Sequence, residues 1–175
     1  GPRDFVGPAS EHGLPVVGTD KANNLSIYHH FPLEEISFDN PVDPPEQTTG
    51  KHTIAFIMSD GEQLASTMGR ATNSSIGNFT PKAAAPVGWT VSPALVDLAA
   101  PIASWMADNA TLDDGFVLAA SGYAHLMPSK WPNQESWAEE TASTMERLGL
   151  DLVQVVDDVS GFDPLLLDPL ISQDE

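Results

Sequence analysis

The sequence predicts an α/β fold of parallel βα units, a partial or reduced TIM-barrel-like domain with an irregular N-terminal arm. Three observations lead there. Apolar runs at residues 53–59, 87–91, 116–120 and 150–156 each stop on small polar or acidic residues. Their nearly continuous apolar character suits strands buried on both faces, as in a parallel sheet covered by helices. Stretches with helical spacing separate them, long enough for crossover connections. Four strands alternating with three helices make about half of an eight-unit barrel, and a complete one takes ~250 residues. The 175-residue chain is therefore expected to be either a fragment of a larger polypeptide or a reduced open-sheet domain.

Along the chain, residues 1–50 read as an arm or linker rich in proline, glycine and acids. Gly1-Pro2 reads as a tag-removal scar or as the product of natural processing. One short strand is expected at 25–31. Residues 40–50 form an extended linker, because Pro41, Pro44 and Pro45 remove donors and bias their predecessors away from helix. Residues 51–160 form the α/β domain. Asp60-Gly61 ends the first strand, and 62–70 follows as a short helix with Leu64 and Met68 on one side. Residues 71–82 are polar and read as a surface loop. After the second strand, Ser92 and Pro93 are a strong helix start, since serine caps a backbone N–H and proline fits the first turn. Leu95, Leu98, Ala99, Ile102 and Met106 recur at helical spacing, with Pro101 expected to kink the helix. The third strand ends at Ser121-Gly122. Residues 135–148 are the clearest helix: Trp137, Thr141, Met145 and Leu148 share a face, Glu139 and Glu140 point away, and Gly149 supplies the stop. The fourth strand ends at Asp157-Asp158. An acidic tail, 161–175, carries the Leu165-Leu166-Leu167 cluster.

Charge is the outlier. Twenty-five acidic against 7 basic residues give a formal net of -18, a surface that repels nucleic acid and anionic membranes and makes both poor partners, so no nucleic-acid partner is expected. The acid excess is consistent with solubility, a saline habitat or cation binding. There are no cysteines, hence no disulfide framework or thiol chemistry. No apolar stretch approaches the ~18 residues of a membrane span. The histidines lack helical metal-ligand spacing, and calcium loops, phosphate-cradling glycine loops and nucleophile elbows are missing, so no metal or cofactor is expected. Asn24, Asn73, Asn78 and Asn109 each open an N-glycosylation acceptor pattern. Four such patterns among seven asparagines point to an extracellular or cell-surface glycoprotein.

Three blocks carry a resemblance: KHTIAFIMSDGEQ, PVGWTVSPALVDLAAP and DDGFVLAASGYAHLMPSKWP. With Ser59-Asp60-Gly61, Gly88-Trp89-Thr90-Val91-Ser92-Pro93 and Ser121-Gly122 as their best-matching residues, they resemble the carboxy-terminal domain of the GxGYxYP family. Its members are assigned by similarity to barrel-type sugar-cleaving enzymes. The resemblance covers roughly residues 51–156. In the name-giving motif Gly122 and Pro128 match, while Ala124, His125 and Met127 stand where the family has glycine, tyrosine and tyrosine. Asp60-Gly61-Glu62-Gln63 resembles the family's Asp-Gly-Asp-Asn stretch.

In parallel α/β architectures reactive groups gather at the C-terminal ends of the strands. Here those ends offer Asp60 with Glu62, Ser92, Ser121 with Tyr123 and His125, and Asp157 with Asp158. Glycoside hydrolysis, which the resemblance implies, needs two carboxyl groups flanking the scissile bond. Asp60 or Glu62 against Asp157 or Asp158 is the available pairing. An aspartate after a strand also serves as a helix cap, and Asp157 equally suits a solvated loop. Trp89, Tyr123 and Trp131 offer flat faces for a sugar ring or for packing. Ser121 and His125 complete the expected substrate-binding set, His125 as a proton carrier in a tyrosine's place. The expected function is a secreted glycoside-hydrolase-like domain that binds or cleaves a carbohydrate. The alternative is a non-catalytic structural subunit that joins other protein subunits in an extracellular assembly.

Overall fold

A computed structural model describes residues 3–19, 22–28, 30–31, 35–38, 50, 52, 54–71, 79 and 85–157. The elements are α1 (Arg3–Glu11), α2 (Leu25–Tyr28), β1 (Ile57–Met58), α3 (Leu64–Ala71), β2 (Val87–Val91), α4 (Pro93–Asp108), β3 (Asp114–Leu118), a 3₁₀ turn at Pro128–Lys130 and α5 (Gln134–Leu148). The sheet is parallel with order β1-β2-β3. Its register pairs Ile57 with Gly88 and Val87 with Asp114. Beyond β3, Val153 makes a parallel bridge to Leu118. The linker 40–49 and the tail 161–175 lie outside the described residues.

Local signals place the helices. Ser92 accepts from the Ala94 N–H at 3.3 Å and caps α4. Ala99 leaves helical geometry (φ -148°, ψ 51°), two residues before Pro101. That is where the proline ring crowds the preceding turn and removes a donor. Asn133 caps α5 by accepting from the Ser136 N–H at 3.1 Å, and Gly149 ends it in the left-handed region at φ 64°. Leu95, Ala99 and Met106 of α4, with Met145 and Leu148 of α5, pack on the sheet. At the centre Phe38 and Phe116 have ring centroids 4.8 Å apart, and Phe79 meets Trp89 edge-on at 5.3 Å.

Three strand expectations change. Residues 25–28 form helix α2, not a strand, because Asn24 turns left-handed (φ 65°) and its carbonyl collects the Ile27 and Tyr28 N–H groups. The first strand shrinks to Ile57–Met58 and is not buried on both faces: Ile54 is 76% and Phe56 58% exposed. Among the described residues β1 is the sheet edge, with a strand partner on one side only. The fourth strand reduces to hydrogen bonds around Leu118 and Ser121. There β3 stops, since Ala120 and Ser121 take φ 46° and 74° and break the ladder.

Candidate functional site

The best-built loop at the strand ends is Asp60–Gln63. Asp60 sits at φ 67°, uncommon for a residue with a side chain. Gly61 is buried against β2, and its N–H donates to the Thr90 hydroxyl at 2.8 Å. The same hydroxyl donates to the Met58 carbonyl at 2.8 Å, so one threonine clamps both limbs of the turn. From the other side the N-terminal segment holds it, with the Leu64 N–H donating to the Gly18 carbonyl at 2.8 Å. On this fixed frame Asp60 is exposed and Glu62 half-buried. Neither carboxylate makes a hydrogen bond among the described residues. No side-chain cap from Asp60 onto α3 is formed.

Asp157 is differently placed. Its carboxylate accepts from the Ser129 N–H at 2.8 Å and the Ser129 hydroxyl at 2.6 Å, pinning the 3₁₀ turn. Three inter-strand steps lie between β1 and the segment leading to Asp157. At ~4.8 Å per step this puts the strand axes ~14 Å apart. Glycosidase carboxyl pairs need roughly 5–5.5 Å or roughly 6.5–9.5 Å, so the Asp60–Asp157 pairing depends on side chains reaching inward. Asp157 is held to the 3₁₀ turn at Ser129 instead. Asp158 lies outside the described residues.

Trp89, expected to face a sugar, is a core residue. It is 3% exposed, and its indole N–H donates to Asp114 at 2.8 Å. Its neighbour β3 supplies that buried carboxylate across the sheet register, which draws the ring inward. Ser121 is fully buried. Its hydroxyl donates to the Val156 carbonyl at 2.9 Å and accepts the Val156 N–H at 2.7 Å, while its carbonyl accepts the Trp137 indole N–H. A serine so engaged shapes the loop and has no donor left for a substrate. His125 is half-buried and pairs through its backbone with Val16. Asn24 and Asn109 are exposed, and the Asn109 amide donates to the Trp105 carbonyl at 2.8 Å. Asn73 and Asn78 lie outside the described residues.

Tyr123 opens onto a groove of about 600 Å³ between the loop after β3 and α5, walled by Leu126, Trp131, Trp137, Glu139 and Glu140. Its hydroxyl donates to Asp97 at 2.8 Å. Burial first, then the bond to Asp97 and its charge, together raise the phenol from 10.0 to about 12, with Arg147 pulling the other way. A raised folded value means a stabilising contribution fully present below the unfolded value of about 10 and lost as pH rises through about 12. Wild type should therefore lose stability relative to Tyr123→Phe across that interval, read by denaturant unfolding at each pH. A phenol that titrates near the ordinary value by absorbance would count against the Asp97 contact.

Sequence reasoning placed Glu139 and Glu140 on the outward face of their helix but did not join them to Tyr123. Asp97 was missed altogether, as nothing in the local pattern links it to a residue 26 positions on. Among the described residues no group of three His, Cys, Asp or Glu is arranged to hold a metal ion. No helix there is long and apolar enough to cross a membrane.

Comparison with known proteins gives one family and one fold. The model of the "GxGYxYP putative glycoside hydrolase C-terminal domain" matches residues 50–171. None of the curated proteins matches the chain. Among solved structures, a "putative hydrolase" from Bacteroides thetaiotaomicron VPI-5482 is similar in fold, with a TM-score of 0.74 and 24% identity over 97% of this chain and 33% of that one. The chain thus spans about a third of that hydrolase's length.

Proposed function

The chain belongs to the GxGYxYP C-terminal domain family, and from that premise we propose that it is part of a secreted, barrel-type carbohydrate-active protein. In this reading it holds a carbohydrate at the strand ends, with Asp60 and Glu62 as its acidic groups. One observation carries it: a left-handed aspartate with an unbonded carboxylate, on a turn fixed by Thr90 and Gly18. Backbone strain that surrounding bonds hold in place is characteristic of functional positions. A carboxylate without internal partners is available to a substrate hydroxyl or a glycosidic oxygen. The secreted setting is supported by the acceptor asparagines, of which Asn24 and Asn109 are exposed.

The test is hydrolysis over a glycan panel by wild type, Asp60→Asn and Glu62→Gln. A general acid or base contributes about 10²–10⁴-fold, so at least one substitution should lower the rate by about 100-fold or more while leaving the unfolding midpoint unchanged. Mass spectrometry of native material should find a glycan on at least one of Asn24, Asn73, Asn78 and Asn109. Activity indifferent to both substitutions would remove this loop from the mechanism.

A second reading, the non-catalytic subunit of an extracellular assembly, draws on a separate observation. Ile54, Phe56 and Ile57 are all more than half exposed along the sheet edge, a feature typical of surfaces that other chains cover. Inactivity on every glycan would favour it.

A further inference from the structure

The groove beside Tyr123 is lined by more hydrogen-bond acceptors than donors. The Tyr123 hydroxyl donates to Asp97, the Thr144 hydroxyl to the Glu140 carbonyl at 2.8 Å, and the Trp137 indole N–H to the Ser121 carbonyl at 2.6 Å. Three of the groove's natural donors are thus turned into the protein. The hydroxyl oxygens of Tyr123 and Thr144, with the carboxylates of Glu139 and Glu140, remain as acceptors. The Glu139 carboxylate makes no hydrogen bond among the described residues, and the Glu140 carboxylate accepts from Ser136 at one oxygen only. Of the lining side chains none is basic; Arg147, the cation whose charge reaches Tyr123, lies one turn beyond Ser143. The volume of about 600 Å³ falls within the roughly 300–1,000 Å³ of small-molecule sites.

Acceptor-rich walls with two carboxylates select a ligand rich in donors and positively charged. Aromatic faces beside them suit a flat, C–H-bearing ring and also attract a cation. We propose that this groove binds an amino sugar, its ring against Tyr123 and Trp131 and its ammonium group between the carboxylates of Glu139 and Glu140. The sugar part rests on the carbohydrate reading above; the ammonium part rests on the donor and acceptor balance alone. Since the phenol stays neutral to about pH 12, Tyr123 presents an uncharged face throughout the working range. The Trp131 indole N–H and Ser143 hydroxyl remain to meet the ring oxygens.

The experiment titrates the purified chain with three disaccharides by calorimetry at pH 6, where amines are protonated. The probes are the β-1,4-linked glucosamine disaccharide, its N-acetylated form and cellobiose. The glucosamine disaccharide should bind at least about 10-fold tighter than either neutral sugar, the order of one charge-assisted hydrogen bond. The double substitution Glu139→Gln/Glu140→Gln should erase that advantage, and Trp131→Ala should weaken all binding. The pair Glu135→Gln/Glu146→Gln, which removes the same charge elsewhere on α5, should change nothing.

Equal binding of the three disaccharides would overturn the amine and leave the carbohydrate reading standing. A simple amine such as cyclohexylamine binding as tightly as the glucosamine disaccharide would overturn the sugar. An equal loss from the control pair would reduce the effect to net charge and overturn the site. No binding by any probe would remove the groove as a site, while the hydrolysis assay on Asp60 decides the strand-end reading separately.

Discussion

Replacing Asp114 with alanine is expected to cost about 3 kcal/mol of stability. The carboxylate is 5% exposed and accepts from the Trp89 indole N–H at 2.8 Å, from the Thr111 N–H at 2.8 Å and from the Thr111 hydroxyl at 2.7 Å. Thr111 is exposed, so water replaces the lost acceptor there. Trp89 is not, and its buried N–H would be left without this partner, a penalty of about 1–3 kcal/mol before the lost charge-assisted bonds are counted. Asp114→Asn should fall between, since the amide keeps one acceptor but turns an N–H₂ group toward a donor. Urea denaturation would give the order wild type, Asn, Ala. Trp89 fluorescence should shift toward longer wavelength in the alanine variant as water reaches the ring. An alanine variant as stable as wild type would mean that the Trp89–Asp114 bond does not hold the sheet's entry.

Gly61→Ala is expected to be as severe, by a different route. A Cβ at Gly61 would lie 2.0 Å from the Thr90 carbonyl oxygen and 2.2 Å from its carbon. These are backbone atoms in the middle strand, and no side-chain rotation relieves the overlap. Overpacking costs about 1–3 kcal/mol where neighbours yield and more where they cannot. A loss of about 3 kcal/mol or displacement of the Asp60 turn should follow, with falling activity in the second case. Gly7→Ala makes the contrast. The atoms nearest its Cβ would belong to the flexible Lys130 side chain, from 3.4 Å, and inside α1 it gains up to about 1 kcal/mol of helix propensity. Equal denaturation midpoints for the two variants would show that the contact with Thr90 leaves room.

The two variants bracket the candidate region. Asp114 begins β3, at the opposite end of the sheet from the acidic loop, so its loss should weaken the fold without reshaping the site. Gly61 lies within the loop itself. Pairing each stability measurement with the glycan assay therefore separates failure of the scaffold from failure of the chemistry.

Much of the architecture was legible because its signals act over a few residues. Ser92-Pro93, the kink near Pro101, Asn133–Ser136 and the left-handed Gly149 each satisfy backbone groups within one helical turn. Apolar spacing located β2, β3, α4 and α5, and their parallel order follows from crossover length. The family, too, could be read from short blocks around Asp60, Trp89 and Ser121.

What tertiary structure alone decided are the partners that reach across the chain. Trp89 is a core residue because Asp114, 25 positions away, receives its N–H. Ser121 is closed to a substrate because Val156, 35 positions on, occupies its hydroxyl, and Asp157 is held by Ser129, 28 positions back. Ile54 and Phe56 have the composition of buried strand residues, yet exposure depends on which strand stands at the sheet edge. Periodicity records which face of an element is apolar. Whether that face is covered, and whether a polar group there still has a bond to offer, is settled by residues that only folding brings alongside.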